Sequence, residues 1–168
     1  MIPIFKKRPE QAQKPFGKVR DSRWVLKQDC LIESSALSDI HKMALELHEH
    51  GGRYAFMHYA DLDREARLNL SELISLGNIT LFVPDIMQLS HQEQTVLHKL
   101  VTTQTEDRPL LMVGANTAYS ELRAEPAIHL DFLLLLSRAY IKLTRPFSDY
   151  KDEGLIHYFL DSLAQNPS

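Results

Sequence analysis

The chain has 168 residues and a formal net charge of -3, with 44% hydrophobic and 24% charged residues. This length and composition are typical of one globular domain with a sizeable core, which excludes an intrinsically disordered chain. The slightly acidic balance disfavours nonspecific nucleic-acid binding, and no apolar run reaches the roughly 18 residues that a membrane-spanning helix needs.

The N-terminal part of the sequence predicts a flexible arm over residues 1–17, followed by one domain over residues 18–168. Three prolines and scattered lysines in the arm argue against a regular element. Its basic residues are not followed by the apolar core of a secretory signal, so we expect a cytoplasmic protein. The single cysteine, Cys30, lies in an apolar stretch, which indicates a buried thiol.

The first predicted unit is a strand, a loop and a helix. Apolar residues 30–32 are the strand candidate and residues 33–35 the loop. Ser38 or Asp39 offers an N-cap, apolar residues then recur at helical spacing, and a glycine pair at 51–52 ends the helix. The apolar helix positions are Ile40, Met43, Ala44 and Leu47.

The strongest strand candidate covers residues 79–86. It is an apolar, partly β-branched run closed by Pro84 and Asp85, which is typical of a strand buried on both faces of a parallel sheet. Open α/β sheets place their ligands beyond the carboxyl ends of such strands. We therefore expect this end of the sheet to carry any functional site.

Strands and helices alternate along the rest of the chain. Ser90 is expected to cap a helix that ends near residue 104, and Pro126 to begin a densely apolar helix that is almost wholly buried. A weaker helical stripe covers residues 61–78. Five strands alternating with helices predict an α/β fold with a parallel sheet covered on both faces. The other predicted strands are residues 54–59, 110–113 and 140–143, and the other predicted helices are residues 119–123 and 152–164.

The order and the sequences of these predicted elements resemble the AAA+ domain of the sigma-54-dependent transcription activators. Residues 80–90, T-L-F-V-P-D-I-M-Q-L-S, are similar to the family's G-T-L-F-L-D-E-I-G-E-L-S. Residues 111–116, L-M-V-G-A-N, lie where the family has its sensor strand R-I-I-A-T-T-N. The resemblance runs from about residue 31 to residue 159. It implies a three-layer P-loop NTPase-like fold with a five-stranded parallel sheet.

The phosphate-binding loop of the family, G-E-S-G-T-G-K-E, is not preserved. The corresponding residues 32–39 read I-E-S-S-A-L-S-D, and only Glu33 and Ser34 agree. Such a loop uses glycines to wrap backbone N–H groups around the phosphates and a lysine to meet their charge. Because neither residue type is present, we expect that ATP is not bound.

The other catalytic features of the family are also altered. Pro84 stands at the magnesium-binding aspartate and Asp85 at the catalytic glutamate, whereas Asn116 matches the sensor asparagine. The family's arginine fingers, worth about 10³–10⁵ in rate in related chemistry, align with His129 and Leu135. We predict no catalytic residue, no cofactor-binding residue and no cofactor. The relic positions of the nucleotide site are Glu33, Ser34, Asp85 and Asn116.

Two of these relic positions also have a purely structural interpretation. Asn116 is a residue type that favours turns at strand ends, and Asp85 precedes a helix in a loop. We expect two whole features of the family to be missing as well. Residues 61–78 contain nothing like its remodelling loop G-A-F-T-G-A, and we expect neither its helical lid nor a helix-turn-helix before residue 168.

The histidines do not predict a metal site. His41, His48 and His50 are spread around one helix, and His91 and His98 share a helix but lack partners. The apolar run at residues 132–136 is core in one interpretation and a self-association surface in the other.

The leading hypothesis is a catalytically inactive AAA+-like domain, a pseudo-ATPase that acts as a protein-interaction or regulatory module. Its partner would be another protein or a second copy of itself, with no membrane and no direct DNA contact. The alternative is a nucleotide-binding transcription regulator of the sigma-54 activator type with atypical ATP contacts. A third class, a DNA-binding regulator, is disfavoured by the acidic balance.

Overall fold

The computed structural model describes residues 25–105 and 107–164, which form a five-stranded, entirely parallel β-sheet between two layers of helices. The predicted α/β fold is therefore confirmed. The order of the strands across the sheet is β2-β3-β4-β1-β5, where β1 is Cys30–Glu33, β2 is Phe56–His58, β3 is Thr80–Val83, β4 is Leu110–Ala115 and β5 is Tyr140–Lys142.

The helices follow the strands in the expected alternation. None of those in the described part of the chain is long and apolar enough to cross a membrane. Two single turns of 3-10 helix occur at Tyr59–Asp61 and Ile86–Gln88. The α-helices are α1 (Leu37–Glu49), α2 (Arg64–Arg67), α3 (Leu70–Ser75), α4 (His91–Thr102), α5 (Tyr119–Arg123), α6 (Leu130–Leu136), α7 (Phe147–Asp152) and α8 (Ile156–Ala164).

Successive strand residues fill two separate apolar clusters, one on each face of the sheet. In β3, Leu81 and Val83 pack against α3, α4 and α6, whereas Phe82 packs among residues of α1 and α8 on the opposite face. All four residues of β3 are buried, as its apolar sequence predicts. Cys30 is fully buried as well, and burial raises the pKa of its thiol above the ordinary value.

Helix α1 begins earlier than the sequence predicts. Both proposed N-caps, Ser38 and Asp39, lie inside the helix, and the N-cap residue is Ala36, which makes no side-chain capping bond. Instead, the Ser34 hydroxyl accepts a hydrogen bond from the N–H of Ala36 at 3.1 Å. The connection from β1 to α1 is therefore only three residues long, shorter than propensity alone suggests.

Two further expectations about the helices are wrong. Pro126 does not begin a helix, because α6 starts at Leu130 and has His129 as its N-cap residue. This helix is not almost wholly buried either, since Leu130 and Leu134 are 44% and 42% exposed. Phe132, Leu133 and Leu136 are buried, so one face of the helix packs against the core and the other meets solvent.

The predicted final helix over residues 152–164 is also wrong, because it is divided into α7 and α8. Gly154, with a φ of 72°, lies between them in a left-handed conformation that only glycine adopts readily. The stretch at residues 61–78 contains two short helices, α2 and α3, whose N-caps are the side chains of Asp63 and Asn69. The predicted N-terminal arm lies outside the described residues.

Strand order decides which residues meet at the carboxyl end of the sheet. Strand β4 lies between β3 and β1, so the residues that follow these three strands share one edge. Pro84 and Asp85 follow β3, Asn116 follows β4, and Ser34 follows β1.

Candidate functional site

The turn between β1 and α1 occupies the place of the phosphate loop in the family resemblance. It consists of three residues, Ser34, Ser35 and Ala36. The N–H of Ser34 donates to the carbonyl oxygen of Ala115 at 3.0 Å, and the N–H of Ala36 donates to the Ser34 hydroxyl at 3.1 Å. Two of the three backbone donors of this turn are therefore engaged inside the protein.

The space beside this turn is closed by direct packing at Gly114. A Cβ atom on Gly114 would lie 2.1 Å from the carbonyl oxygen of Pro84 and 2.6 Å from Cγ2 of Ile40. Ile40 itself is fully buried. The end of β3, strand β4 and the first turn of α1 thus pack together with no room for even one additional carbon at Gly114.

Asn116 links the end of β4 to the turn after β1. Its side-chain amide Nδ2 donates to the carbonyl oxygen of Ser34 at 2.9 Å. One side-chain bond and the backbone bond from Ser34 to Ala115 thus hold the same turn against β4. Asn116, which aligns with the family's sensor asparagine, therefore uses its side-chain amide for a hydrogen bond within the protein.

Glu33 is buried and ties two distant segments to the end of β1. Its Oε1 atom accepts hydrogen bonds from the N–H of Tyr119, at 3.1 Å, and from the hydroxyl of Tyr140. The rings of Tyr119 and Tyr140 lie against each other, with centroids 5.2 Å apart. Burial, followed by the hydrogen bond to the Glu33 carboxylate and its negative charge, raises the pKa of Tyr140. The Glu33 carboxylate is therefore engaged with two donors of the chain itself.

Asp85 makes a local capping bond. Its Oδ1 atom accepts from the N–H of Met87 at 3.1 Å and so caps the short 3-10 turn at Ile86–Gln88. Pro84, immediately before it, offers only its carbonyl oxygen, which lies against Gly114. Pro84 thus offers no side-chain oxygen to Mg²⁺, and Oδ1 of Asp85 is engaged in the cap.

The two positions that align with the arginine fingers lie apart from this turn. His129, the N-cap residue of α6, forms a hydrogen bond with His91, and its ring nitrogen Nε2 lies 2.9 Å from Nδ1 of His91. Leu135 lines a cleft at the opposite end of the sheet. The structure thus brings together Glu33, Ser34 and Asn116, and places Asp85 on the neighbouring strand end.

Two clefts, of about 470 and 610 Å³, lie at the amino end of the sheet. Arg108, which the sequence analysis did not single out, organises this end. Its guanidinium pairs with both carboxylate oxygens of Asp29 at 3.0 and 2.8 Å and also donates to the backbone carbonyls of Val101, Thr103 and Pro109. All five of its donors are satisfied, so Arg108 holds strand ends together and has no donor left for a ligand.

Arg53 lies beside Arg108 at the same end of the sheet. Its guanidinium donates to the carbonyl oxygens of Ile79, Arg108 and Leu26 at 3.3, 2.9 and 3.4 Å. Burial, the largest effect, lowers the pKa of Arg53 to about 10. The only sequence signal for this arrangement is that Arg53, Asp29 and Arg108 all precede predicted strands.

The histidines of α1 have three different environments. Nδ1 of the buried His48 lies 2.8 Å from the Thr80 hydroxyl oxygen, His50 lies 3.2 Å from Glu46, and His41 stacks on His58 with ring centroids 5.1 Å apart. In the described part of the chain, no group of three or more Cys, His, Asp or Glu side chains could hold a metal ion. The contact between His91 and His129 escaped the sequence analysis, because the two residues are 38 positions apart.

No protein-family model and no curated protein matches the chain. Among solved structures, the chain is similar to the P-loop NTPase domain of the sigma-54 transport activator from E. coli, with a TM-score of 0.51 and 18% sequence identity. The match covers 81% of this chain and 94% of that chain. This likeness shows a P-loop NTPase-like fold, in agreement with the five-stranded parallel sheet.

Proposed function

We propose that this chain is a P-loop NTPase-like domain that neither binds nor hydrolyses ATP and acts as a protein-interaction or regulatory module. The observation that carries the proposal is the three-residue turn between Glu33 and α1. Two of its three backbone donors are used by Ala115 and by the Ser34 hydroxyl, and its flank is filled by Ile40. A phosphate cradle needs several free N–H groups that converge on one point.

Electrostatics supports the same conclusion. The residues around the turn include the carboxylates of Glu33 and Asp39, and no lysine or arginine occurs from residue 28 to residue 41. A triphosphate brings several negative charges and relies on cationic groups and Mg²⁺ to offset them. At this edge the carboxylate charges would repel it, and the one well-placed carboxylate, Asp85, is used as a local cap.

Nucleotide binding is tested by thermal unfolding of the full chain with and without Mg-ATP and Mg-ADP. A ligand present at 100 times its Kd stabilises a protein by about 2.7 kcal/mol, so binding would raise the melting temperature clearly. We expect no shift at millimolar nucleotide. A shift that saturates in the micromolar range would overturn the proposal and favour a nucleotide-binding transcription regulator with atypical ATP contacts.

The interaction role is tested separately, because loss of nucleotide binding does not by itself require a partner. We expect affinity capture from the native host to return a protein that forms a defined complex with the chain when both are purified. The distant likeness to a sigma-54 activator domain makes components of sigma-54-dependent transcription the first candidates. If no captured protein binds in the purified system and the chain does not self-associate, the interaction role is wrong.

Direct DNA binding is not part of the proposal. The formal net charge of -3 gives no excess of cations to neutralise phosphates. A gel-shift experiment at low salt should therefore show no complex with duplex DNA, and a retained complex would support a DNA-binding regulator instead.

A further inference from the structure

We propose that His91 and His129 form a two-histidine site for a divalent late transition metal, Ni²⁺ or Cu²⁺ in particular, which connects α4 to α6. His91 is the first residue of α4, and His129 is the N-cap residue of α6. The proposal is independent of the proposed function, because neither residue contacts the turn after β1.

The distance between the two imidazoles suits metal coordination. Nδ1 of His91 and Nε2 of His129 are 2.9 Å apart, and the ring planes are inclined by 71°. Two imidazole nitrogens at about 2.0–2.1 Å from one metal and at a right angle to each other are also about 2.9 Å apart. Right-angle geometry is the arrangement that square-planar or tetragonal Cu²⁺ and Ni²⁺ favour. The two rings would turn so that both nitrogen lone pairs point at the metal and no longer at each other.

A buried glutamine holds the two histidines in fixed relation. Gln94 lies on α4, one turn after His91, and is fully buried. Its Oε1 atom accepts from the N–H of His129 at 2.8 Å, and its Nε2 atom donates to the carbonyl oxygen of Ala127 at 2.8 Å. The backbone that carries His129 is thereby anchored to the helix that carries His91, which reduces the entropy lost on chelation.

The site provides two protein ligands, because no larger group of metal-binding side chains occurs in the described residues. Water completes the coordination. His91 is exposed and His129 is half-buried, so a metal ion can reach the pair from the solvent side. His41 and His58 provide a natural comparison. Their rings stack face to face, with an interplanar angle of 25°, so their nitrogens do not converge on one point.

The test is calorimetric titration of the untagged full chain with Ni²⁺ and Cu²⁺, alongside His91→Gln, His129→Gln and the control His58→Gln. We expect one bound metal ion per chain, weakened at least about tenfold in either of the first two variants and unchanged in the control. Mg²⁺ should not bind, because it prefers oxygen ligands. The melting temperature of each metal-free variant verifies that it is folded.

A spectroscopic measurement keeps the proposal testable if one variant does not fold. Electron paramagnetic resonance of bound Cu²⁺ should show coupling to two imidazole nitrogens in the wild type and to at most one in the remaining variant. The proposal is overturned if the wild type binds neither metal, or if the variants bind with wild-type affinity and an unchanged Cu²⁺ spectrum. A metal-dependent rise in molecular mass would also contradict it, since both ligands belong to one chain.

Discussion

Gly114 is the residue at which the end of β3, strand β4 and α1 approach most closely. The nearest atoms to a Cβ at this position include the backbone of Pro84, which cannot move away as a flexible side chain can. We expect Gly114→Ala to lower the free energy of unfolding by about 1–3 kcal/mol, as in other overpacked cores. Urea denaturation monitored by circular dichroism measures this change.

Gly51→Ala is the matched control for this prediction. Its added Cβ would meet mainly the end of the Leu26 side chain, at 2.8 Å from Cδ1, and that side chain can adjust. We therefore expect a smaller loss of stability than for Gly114→Ala. Equal stability of Gly114→Ala and the wild type would show that the carboxyl edge is not closed as described.

Asn116 is expected to matter for stability and not for nucleotide chemistry. Replacing it with alanine removes the donor to the Ser34 carbonyl and should cost about 0.5–1.5 kcal/mol. Asn78→Ala, at an exposed asparagine before β3, is the control and should change the free energy of unfolding little. If Asn116→Ala left stability unchanged but altered an ATP-dependent signal, the residue would be a working sensor.

The lowered pKa of His41 should make the free energy of unfolding depend on pH. Burial, reinforced by the charge of His58, lowers the pKa of His41 in the folded protein. The unfolded chain then binds the proton more readily, so stability is fully present above the ordinary histidine pKa of about 6.5 and falls as the pH drops below it. Denaturation between pH 7.5 and pH 5 should show this fall, and His41→Gln should reduce it. Identical slopes in the wild type and in His41→Gln would contradict the assignment.

Among the individual elements, α4 has the most complete set of capping hydrogen bonds at its start. Ser90 accepts from the N–H of Glu93 at 3.1 Å, and the Glu93 carboxylate accepts from the N–H of Ser90 at 2.8 Å, which is a full capping box. Ser90→Ala should therefore cost about 0.5–2 kcal/mol. Thermal unfolding measures the effect, with Ser71→Ala on an exposed surface of α3 as the control. A loss no larger than that of the control would show that the cap is not needed.

The sequence allowed accurate prediction of elements whose causes are local. The Ser90 cap and the continuous apolar run of β3 are short-range patterns. The helix begins directly after Ser90 as expected, and the strand lies within the predicted residues 79–86, although it ends at Val83. Helix α6 was predicted poorly because its start depends on tertiary bonds. The N–H of His129 is held by Gln94, 35 residues earlier, and this contact places the N-cap after Pro126.

The candidate site could be predicted in location but not in structure. The alignment of residues 32–39 and Pro84 with the family motifs predicts that they share one edge of the sheet, and the strand order places them there. It could not show that Glu33 contacts Tyr119 and Tyr140, because those partners are 86 and 107 residues away. The internal use of each relic side chain became visible only when the strand order was known.

At the scale of the whole molecule, the protein combines a P-loop NTPase-like sheet with a carboxyl edge that is packed and hydrogen-bonded within itself. The same edge would hold the ligand in an open α/β sheet. At the opposite edge, all five donors of Arg108 are paired with Asp29 and backbone carbonyls, and Arg53 donates to three further carbonyls, which fixes the strand ends. Both ends of the sheet thus contribute to stability.

The most direct test of this view is calorimetric titration of the purified full chain with Mg-ATP, together with an assay for released phosphate. We expect no saturable heat at nucleotide concentrations up to the millimolar range and no phosphate release above the buffer background. Micromolar binding, or turnover that is lost when Asp85 or Asn116 is replaced, would show that the edge opens and that the nucleotide site still functions.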